Sequence, residues 1–293
     1  RMLTRLRPRI GTAALAAAAA LAACGPPGRA PDAASADVAA EDHMEAARAF
    51  AEEGRYDSAL RRYTLALDGG VDPAEALEGR GVIRSARGEH EAAAADFDSV
   101  LALRPGRASA LANLAVAQME LSRWDTALAV LDSLARTRPG DAKVFYERAH
   151  AWRGKGPTTR ALEDLDRALE LDPEMAPAYL SRGSLYARRD DLDLAVADFE
   201  RAVDLSGDEA ARRNLGVARL ASGDHREAAR IFGELLERAP LNPRYHLYRG
   251  RARLGLGREG EAAADFRRVL ELTGNPALRQ QAIRELRELD AGG

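Results

Sequence analysis

Histidine and cysteine, the side chains best suited to catalysis or metal binding near neutral pH, are scarce in this sequence of 293 residues. His43, His90, His225 and His246 stand where other parts of the chain carry Leu, Phe, Tyr or Trp, so we expect these four to pack. Only His150 falls on a face that packing leaves free. No GxSxG, HExxH or phosphate-loop motif accompanies the histidines. The sequence therefore predicts a protein without enzymatic activity, metal site, cofactor or small-molecule substrate.

Cys24 is the only cysteine, which excludes an internal disulfide bond and a cysteine-based zinc site. It closely follows an apolar run from Ile10 to Ala22, and four arginines precede that run. A basic segment, a short apolar segment and small residues in this order are typical of a secretory signal. The run is shorter than the roughly 20 residues that span a bilayer as a helix. We therefore expect residues 1–23 to be a signal peptide that is removed.

The residues Leu21-Ala22-Ala23-Cys24 resemble the bacterial lipobox. This resemblance implies cleavage before Cys24 and its acylation, and several acyl chains attach a protein stably without a spanning helix. Gly25 replaces the Asp that commonly marks inner-membrane lipoproteins, which favours the outer membrane, facing the periplasm. Residues 24–39 are rich in Gly, Pro, Ala and Ser, and we predict a flexible tether there. The alternatives are an ordinary signal peptide, or an alanine-rich helix of the fold.

A period of 34 residues organises the rest of the chain. Turn residues recur at this interval, with one step of 33, at Gly54, Gly88, Ser122, Gly156, Asp190, Gly223 and Gly257. Between the turns, apolar residues recur at helical spacing, so each period predicts a pair of antiparallel helices. In one such period, the small residue Gly81 allows the second helix to approach, and Phe97 fills the space beside that contact.

This repeat resembles the tetratricopeptide (TPR) family, whose unit is a helix-turn-helix of this length with small residues at fixed sites. Two sites of the second helix recur in all seven periods. The first is alanine, in Ala59, Ala93, Ala127, Ala161, Ala195, Ala228 and Ala262, and the second is large, in Tyr63, Phe97, Leu131, Leu165, Phe199, Phe232 and Phe266. The resemblance implies an all-α fold: a right-handed superhelical solenoid of seven TPR helical hairpins, in which each repeat packs on its neighbours.

The period also places the boundaries of the repeats. We expect them at about residues 40–73, 74–107, 108–141, 142–175, 176–208, 209–242 and 243–276, followed by a capping helix and tail at 277–293. Arg80, Arg148, Arg182 and Arg249 each precede the small residue of a first helix, and we expect these arginines to be structural.

The first helices of the repeats are expected to line the concave face of the solenoid, by resemblance to the family. Its middle and C-terminal part combines arginines with aromatic side chains, which suits extended peptides, because guanidinium groups bind carboxylates and aromatic walls accept side chains. The candidate groove residues are Asn113, Tyr146, His150, Arg153, Arg188, Arg213, Asn214, Tyr248 and Arg251. The alternative is a solvated surface whose arginines are neutralised by nearby acids such as Glu147 and Asp190.

The 43 basic residues nearly balance the 46 acidic ones, which argues against general nucleic-acid binding. The sequence predicts a non-catalytic, lipid-anchored scaffold of the bacterial cell envelope that binds a protein or peptide partner in its groove and assists assembly of an envelope complex. In this it is similar to TPR lipoproteins that act as pilotins for secretins. The alternatives are an adaptor or regulator of peptidoglycan enzymes, a self-assembling component of an outer-membrane machine, and a TPR protein with an unrecognised enzymatic activity.

Overall fold

The computed structural model describes residues 33–292, and all regular secondary structure in this range is helical. The fifteen helices of the described range are α1 Ala33–Glu52, α2 Tyr56–Asp68, α3 Pro73–Ala86, α4 His90–Leu103, α5 Ala108–Glu120, α6 Trp124–Thr137, α7 Ala142–Lys155, α8 Thr158–Leu171, α9 Ala176–Arg188, α10 Leu192–Ser206, α11 Glu209–Ala221, α12 His225–Arg238, α13 Pro243–Gly255, α14 Glu259–Leu272 and α15 Pro276–Gly292. Consecutive helices pack on each other, so α1 to α14 form a linear series of helix pairs, numbered here from the first (α1 and α2) to the seventh (α13 and α14).

All seven turns predicted from the period have a positive φ angle, so the chain reverses there as expected. Five of these residues are glycines, which adopt this conformation without steric cost. Ser122 and Asp190 are the exceptions, with φ angles of 56° and 66°. Short polar residues tolerate the left-handed region better than most, and the turn is kept without glycine.

Close contact between the two helices of a pair depends on a small residue, as the sequence predicted. A Cβ atom added to Gly81 would lie 2.7 Å from Cε1 of Phe97, and one added to Gly250 would lie 2.6 Å from Cε1 of Phe266. Both phenylalanines are fully buried, with 0% of their surface exposed. The glycine and the aromatic ring therefore form one packing unit, and neither position can enlarge without moving the other.

The odd-numbered helices of neighbouring pairs touch each other along most of the stack. Within the described residues, no two even-numbered helices make a contact of comparable extent. A stack whose odd helices lie closer together than its even helices curves toward the odd side. The odd helices therefore line the inner face, as expected, while the right-handed superhelix remains a prediction.

The recurrent arginines are structural, as predicted, and each forks onto a buried aspartate sixteen residues later. Arg148 donates from Nη2 and Nε to the carboxylate of Asp164 at 2.6 and 2.8 Å, and Arg182 donates to Asp198 at 2.7 and 2.8 Å. Arg80 and Arg249 pair in the same way with Asp96 and Asp265. Each aspartate is at most 5% exposed. These forks join the two helices of the second, fourth, fifth and seventh pairs.

The third and sixth pairs carry apolar residues at the same two positions. Leu114 and Val130 replace the arginine and aspartate in the third pair, and Leu215 and Ile231 replace them in the sixth. Leu114, Leu215 and Ile231 are at most 8% exposed. Both partners are therefore apolar together, which leaves no buried charge alone.

The ends of the chain depart partly from the predicted boundaries. α1 begins at Ala33, so the predicted tether of residues 24–39 is wrong for its last seven residues, which are helical. Four of these seven residues are alanine, the strongest helix former, which favours continuation of α1 into this segment. At the other end, α15 begins at Pro276, one residue before the predicted capping helix. Its Ala282 is buried in one cluster with Leu247 and Phe266. The predicted signal peptide, residues 1–23, and Cys24 lie outside the described residues.

Candidate functional site

The predicted groove residues all lie on odd-numbered helices and therefore on the inner face. They are distributed as Asn113 on α5, Tyr146, His150 and Arg153 on α7, Arg188 on α9, Arg213 and Asn214 on α11, and Tyr248 and Arg251 on α13. None is fully buried, and Arg153 and Arg188 are exposed. The set spreads over five helices, and its members differ in what they contact.

Tyr146, His150 and Arg153 form a cluster on α7. The rings of Tyr146 and His150 meet edge to face with centroids 4.6 Å apart, and Arg153 Nη2 lies 2.9 Å from His150 Nδ1. His150 Nε2 lies 3.5 Å from Oγ of Ser181 on α9. Burial, assisted by the positive charge of Arg153, lowers the pKa of His150 to about 4. The imidazole is therefore neutral at pH 7, and its Nδ1 accepts a hydrogen bond from Arg153. This hydrogen bond orients the guanidinium group of Arg153.

Two members at the C-terminal end are engaged within the fold. The ring of Tyr248 stacks on Phe232 with centroids 5.1 Å apart. Arg251 donates from Nε to Oε1 of Glu285 on the capping helix at 2.8 Å. These two side chains stabilise the junctions between neighbouring helices, a use that their position in the repeat did not indicate.

Arg188, Arg213 and Asn214 are different, because they have no side-chain hydrogen bond or ion pair with any other residue in the range 33–292. Arg188 is exposed, and the other two are half-buried. Unpaired guanidinium groups on an inner face can bind carboxylates of another molecule. Arg153, Arg188 and Arg213 therefore place three positive charges without a carboxylate partner on the inner face of α7, α9 and α11.

A cavity lies between α5 and α7, toward the middle of the stack. It has a volume of about 820 Å³. Its apolar wall includes Val116, Leu131, Leu134 and Val144, and its rim carries basic residues of the α4–α5 and α6–α7 connections and of α7. Of the predicted groove residues, only Asn113 lines it. The sequence reasoning missed this cavity, although the small residue Ala112 at a position that is large elsewhere could have indicated it.

Glu147 also lines the cavity. Burial raises the pKa of its carboxyl, and nearby Lys143 acts in the opposite direction. Among the described residues, no basic side chain lies within 4 Å of it. The alternative of a solvated surface expected Glu147 to neutralise nearby arginines, whereas its side chain lines the cavity.

The other four histidines have the packing role predicted for them. His246 is 9% exposed, with Nδ1 at 3.1 Å from Asp265 and Nε2 at 3.0 Å from the Pro240 carbonyl oxygen. His225 lies against the backbone of Gly255, where an added Cβ would meet its ring at 2.3 Å. His43 lies 3.0 Å from Nη1 of Arg62. His90 is half-buried, with Nδ1 enclosed.

No group of three or more His, Cys, Asp or Glu side chains in the described range 33–292 is placed to hold a metal ion. No helix in the same range has both the length and the apolar character needed to cross a membrane.

Comparison with solved structures finds similar helical-repeat proteins. MamA from Desulfovibrio magneticus RS-1 is 25% identical with a TM-score of 0.54, over 58% of this chain and 96% of that protein. A tetratricopeptide repeat protein from Parabacteroides merdae is 18% identical with a TM-score of 0.61, over 85% and 99%. PilF from Pseudomonas aeruginosa is 17% identical with a TM-score of 0.61, over 72% and 96%. The last two likenesses concern the fold alone. No protein of curated function matches the chain significantly.

Family models match most of the repeated region. One tetratricopeptide repeat model matches residues 44–108, 146–210 and 213–276, and a second matches residues 85–150. These matches cover the helix pairs with their glycine turns, their small residues and their inner face. On this evidence the chain belongs to the tetratricopeptide repeat family.

Proposed function

We propose that this protein is a non-catalytic, lipid-anchored scaffold of the bacterial cell envelope that binds a protein or peptide partner on its inner face and assists assembly of an envelope complex. The observation that supports the binding role is the lack of a carboxylate partner for Arg153, Arg188 and Arg213. Their guanidinium groups have no carboxylate partner among the described residues, while the structural arginines Arg148 of α7 and Arg182 of α9 are fully paired. Cations left unpaired on one face are available to an acidic segment of a partner.

Binding is tested by changing these three arginines to glutamine together. The mature protein is immobilised and used to capture proteins from a detergent extract of envelope membranes, and the captured proteins are identified. The triple variant should lose the captured partner while its helicity stays native, because none of the three arginines joins helices through an ion pair.

The matched control removes the same charge from the other side of the molecule. Arg201, Arg226 and Arg267 are exposed on α10, α12 and α14, and their triple glutamine variant should retain the partner. Equal capture by both triple variants would place the binding surface away from the inner face. Recovery of a secretin or a wall hydrolase would name the envelope process.

Anchoring is tested separately at Cys24. The proposal requires that the Cys24→Ser variant is not acylated and leaves the membrane fraction, since acylation needs the thiol of that residue. A variant that still fractionates with membranes would contradict the lipid anchor and leave the binding test unaffected.

A further inference from the structure

The cavity between α5 and α7 exists because one inner-face position is unusually small. Ala112 of α5 occupies the place that Tyr146, Leu180 and Leu247 occupy on α7, α9 and α13. Without a large side chain there, the groove opens onto the apolar side chains that close the third pair. The cavity is therefore widened by a local departure from the repeat; a smaller inner-face cavity, of about 540 Å³, lies between α1 and α3.

The wall of the cavity is apolar and largely rigid. Leu131, Leu134 and Val144 are at most 4% exposed and belong to the packed interior, so they keep their positions when the cavity is filled. Val116 also lines the cavity and is 37% exposed to solvent. A volume of about 820 Å³ accommodates a large apolar side chain together with adjoining main chain.

The rim is more basic than acidic, with Arg104, Arg107, Arg138 and Lys143 against Asp141 and Glu147. The three arginines are each paired, with Asp72, Glu78 and Asp141 respectively. Lys143 has no ion pair within 4 Å among the described residues, so it is the cation available to a ligand. Glu147, one helical turn further along α7, opposes an anionic ligand.

We propose that this cavity is an anchor pocket, in which a bulky apolar or aromatic side chain of the partner inserts against Leu131, Leu134 and Val144, with an adjacent carboxylate of the partner beside Lys143. This inference rests on the proposed partner binding and assigns the chemistry of the contacting segment. Buried apolar anchors surrounded by polar rims carry much of the free energy of protein interfaces.

The probe for this pocket is anilinonaphthalene sulfonate, because it joins an aromatic group to an anion and fluoresces more strongly in apolar surroundings. The native protein should bind it at one saturable site. Ala112→Tyr, which introduces the residue that α7 carries at the equivalent place, should weaken this binding by about tenfold or more. Ala221→Tyr adds the same atoms at an exposed position of α11 outside the cavity and should leave it unchanged.

Two charge variants test the rim without altering the packed wall. Lys143→Gln should weaken dye binding by about threefold, and Glu147→Gln should strengthen it by about the same factor, because the first removes the attracting charge and the second the opposing one. Unchanged affinity in Ala112→Tyr, with native helicity, would overturn the proposal. So would charge variants that shift the affinity in the opposite directions.

Partner capture by the native protein and by Ala112→Tyr distinguishes the anchor pocket from the scaffold function on which this inference rests. A native protein that captures a partner, beside an Ala112→Tyr variant that captures much less, supports both. Equal capture by the two proteins overturns the anchor pocket and leaves the scaffold role intact. Failure of the native protein to capture any partner contradicts the scaffold role, and the dye then decides on the pocket alone.

Discussion

In the fifth helix pair, Arg182 of α9 forks onto Asp198 of α10, whereas in the sixth pair Leu215 and Ile231 fill the same two positions. Both pairs keep the glycine against a buried phenylalanine, so the helices approach closely in each. The charged version gains directed hydrogen bonds but removes two ions from water, and the apolar version avoids that desolvation. The comparison indicates that these two positions can hold either an ion pair or two apolar side chains, provided that both residues change together.

Two of the charged pairs, the fourth and the fifth, differ from the apolar pairs in a second way, because their arginines also form an ion pair with the preceding repeat. Arg148 donates to Asp132 at 2.9 Å, and Arg182 donates to Asp166 at 2.7 Å. A leucine at these places packs only through apolar contact. The arginines therefore connect three successive helices, which in a repeat array strengthens the interface on which stability depends.

The largest effect is expected from breaking one fork. Arg182→Leu leaves the carboxylate of Asp198 buried without a cation, and removing one partner of a buried ion pair costs about 3–5 kcal/mol. The free energy of unfolding, measured by urea titration with circular dichroism, should fall by this amount. Arg249→Leu should cost only about 2 kcal/mol, because Asp265 keeps Arg253 and His246. Equal losses in the two variants would contradict the pairing argument.

Converting the fifth pair into the chemistry of the sixth should reverse most of that loss. The double variant Arg182→Leu with Asp198→Ile should unfold within about 1 kcal/mol of the native protein, because the apolar pair that the sixth pair buries at these positions replaces the ions. Asp166 loses its partner as well, but its side chain is 50% exposed and water solvates it. Urea titration measures the free energy of unfolding of the double variant. A double variant as unstable as Arg182→Leu would show that the ion pair and the apolar pair are not interchangeable.

A pH-dependent difference is expected at His150, which belongs to the charged fourth pair, while Val217 holds the equivalent place in the sixth. The folded pKa of about 4 lies below the usual value of 6.5, so the unfolded chain binds more protons between these values. Stability is therefore complete above pH 6.5 and falls as the pH decreases toward 4.

The test compares urea unfolding of the native protein and His150→Asn at pH 7.5 and pH 5. The native protein should lose about 1 kcal/mol more than the variant, a figure that allows for partial exposure of the ring. The other histidines are common to both proteins and cancel. Identical pH dependence would mean that the ring is as accessible to protons in the folded chain as in the unfolded one.

The smallest effect concerns the ion pair with the preceding repeat, which the seventh pair lacks. Gly233 stands where Asp132 and Asp166 serve Arg148 and Arg182, and a Cβ atom there would meet nothing within 4 Å. Gly233→Asp should stabilise the protein by about 0.5–1 kcal/mol through helix propensity and a new ion pair with Arg249. Gly233→Asn supplies the propensity without the charge, and a difference between the two that persists at high salt would contradict the ionic contribution.

The sequence predicted the helix pairs, their turns and the structural character of the four arginines, because these features repeat and each repetition strengthens the inference. It did not predict the partners of those arginines, although the aspartates follow at a constant distance of sixteen residues. The start of α1 was missed because residues 33–39 carry no apolar periodicity. Among the groove residues, Tyr248 and Arg251 proved to contact Phe232 and Glu285, which are distant in the sequence.

The sequence alone determined that this chain is a stack of tetratricopeptide helix pairs with a capping helix, since the period, the glycine turns and the small residues act within one repeat or between adjacent helices. Only the tertiary structure decided which inner-face arginines are paired and where the groove opens. Those properties depend on side chains of several helices meeting at one point. The cavity beside Ala112 forms because this position lacks a large side chain. Its shape is set by Leu131, Leu134 and Val144, which lie on other helices.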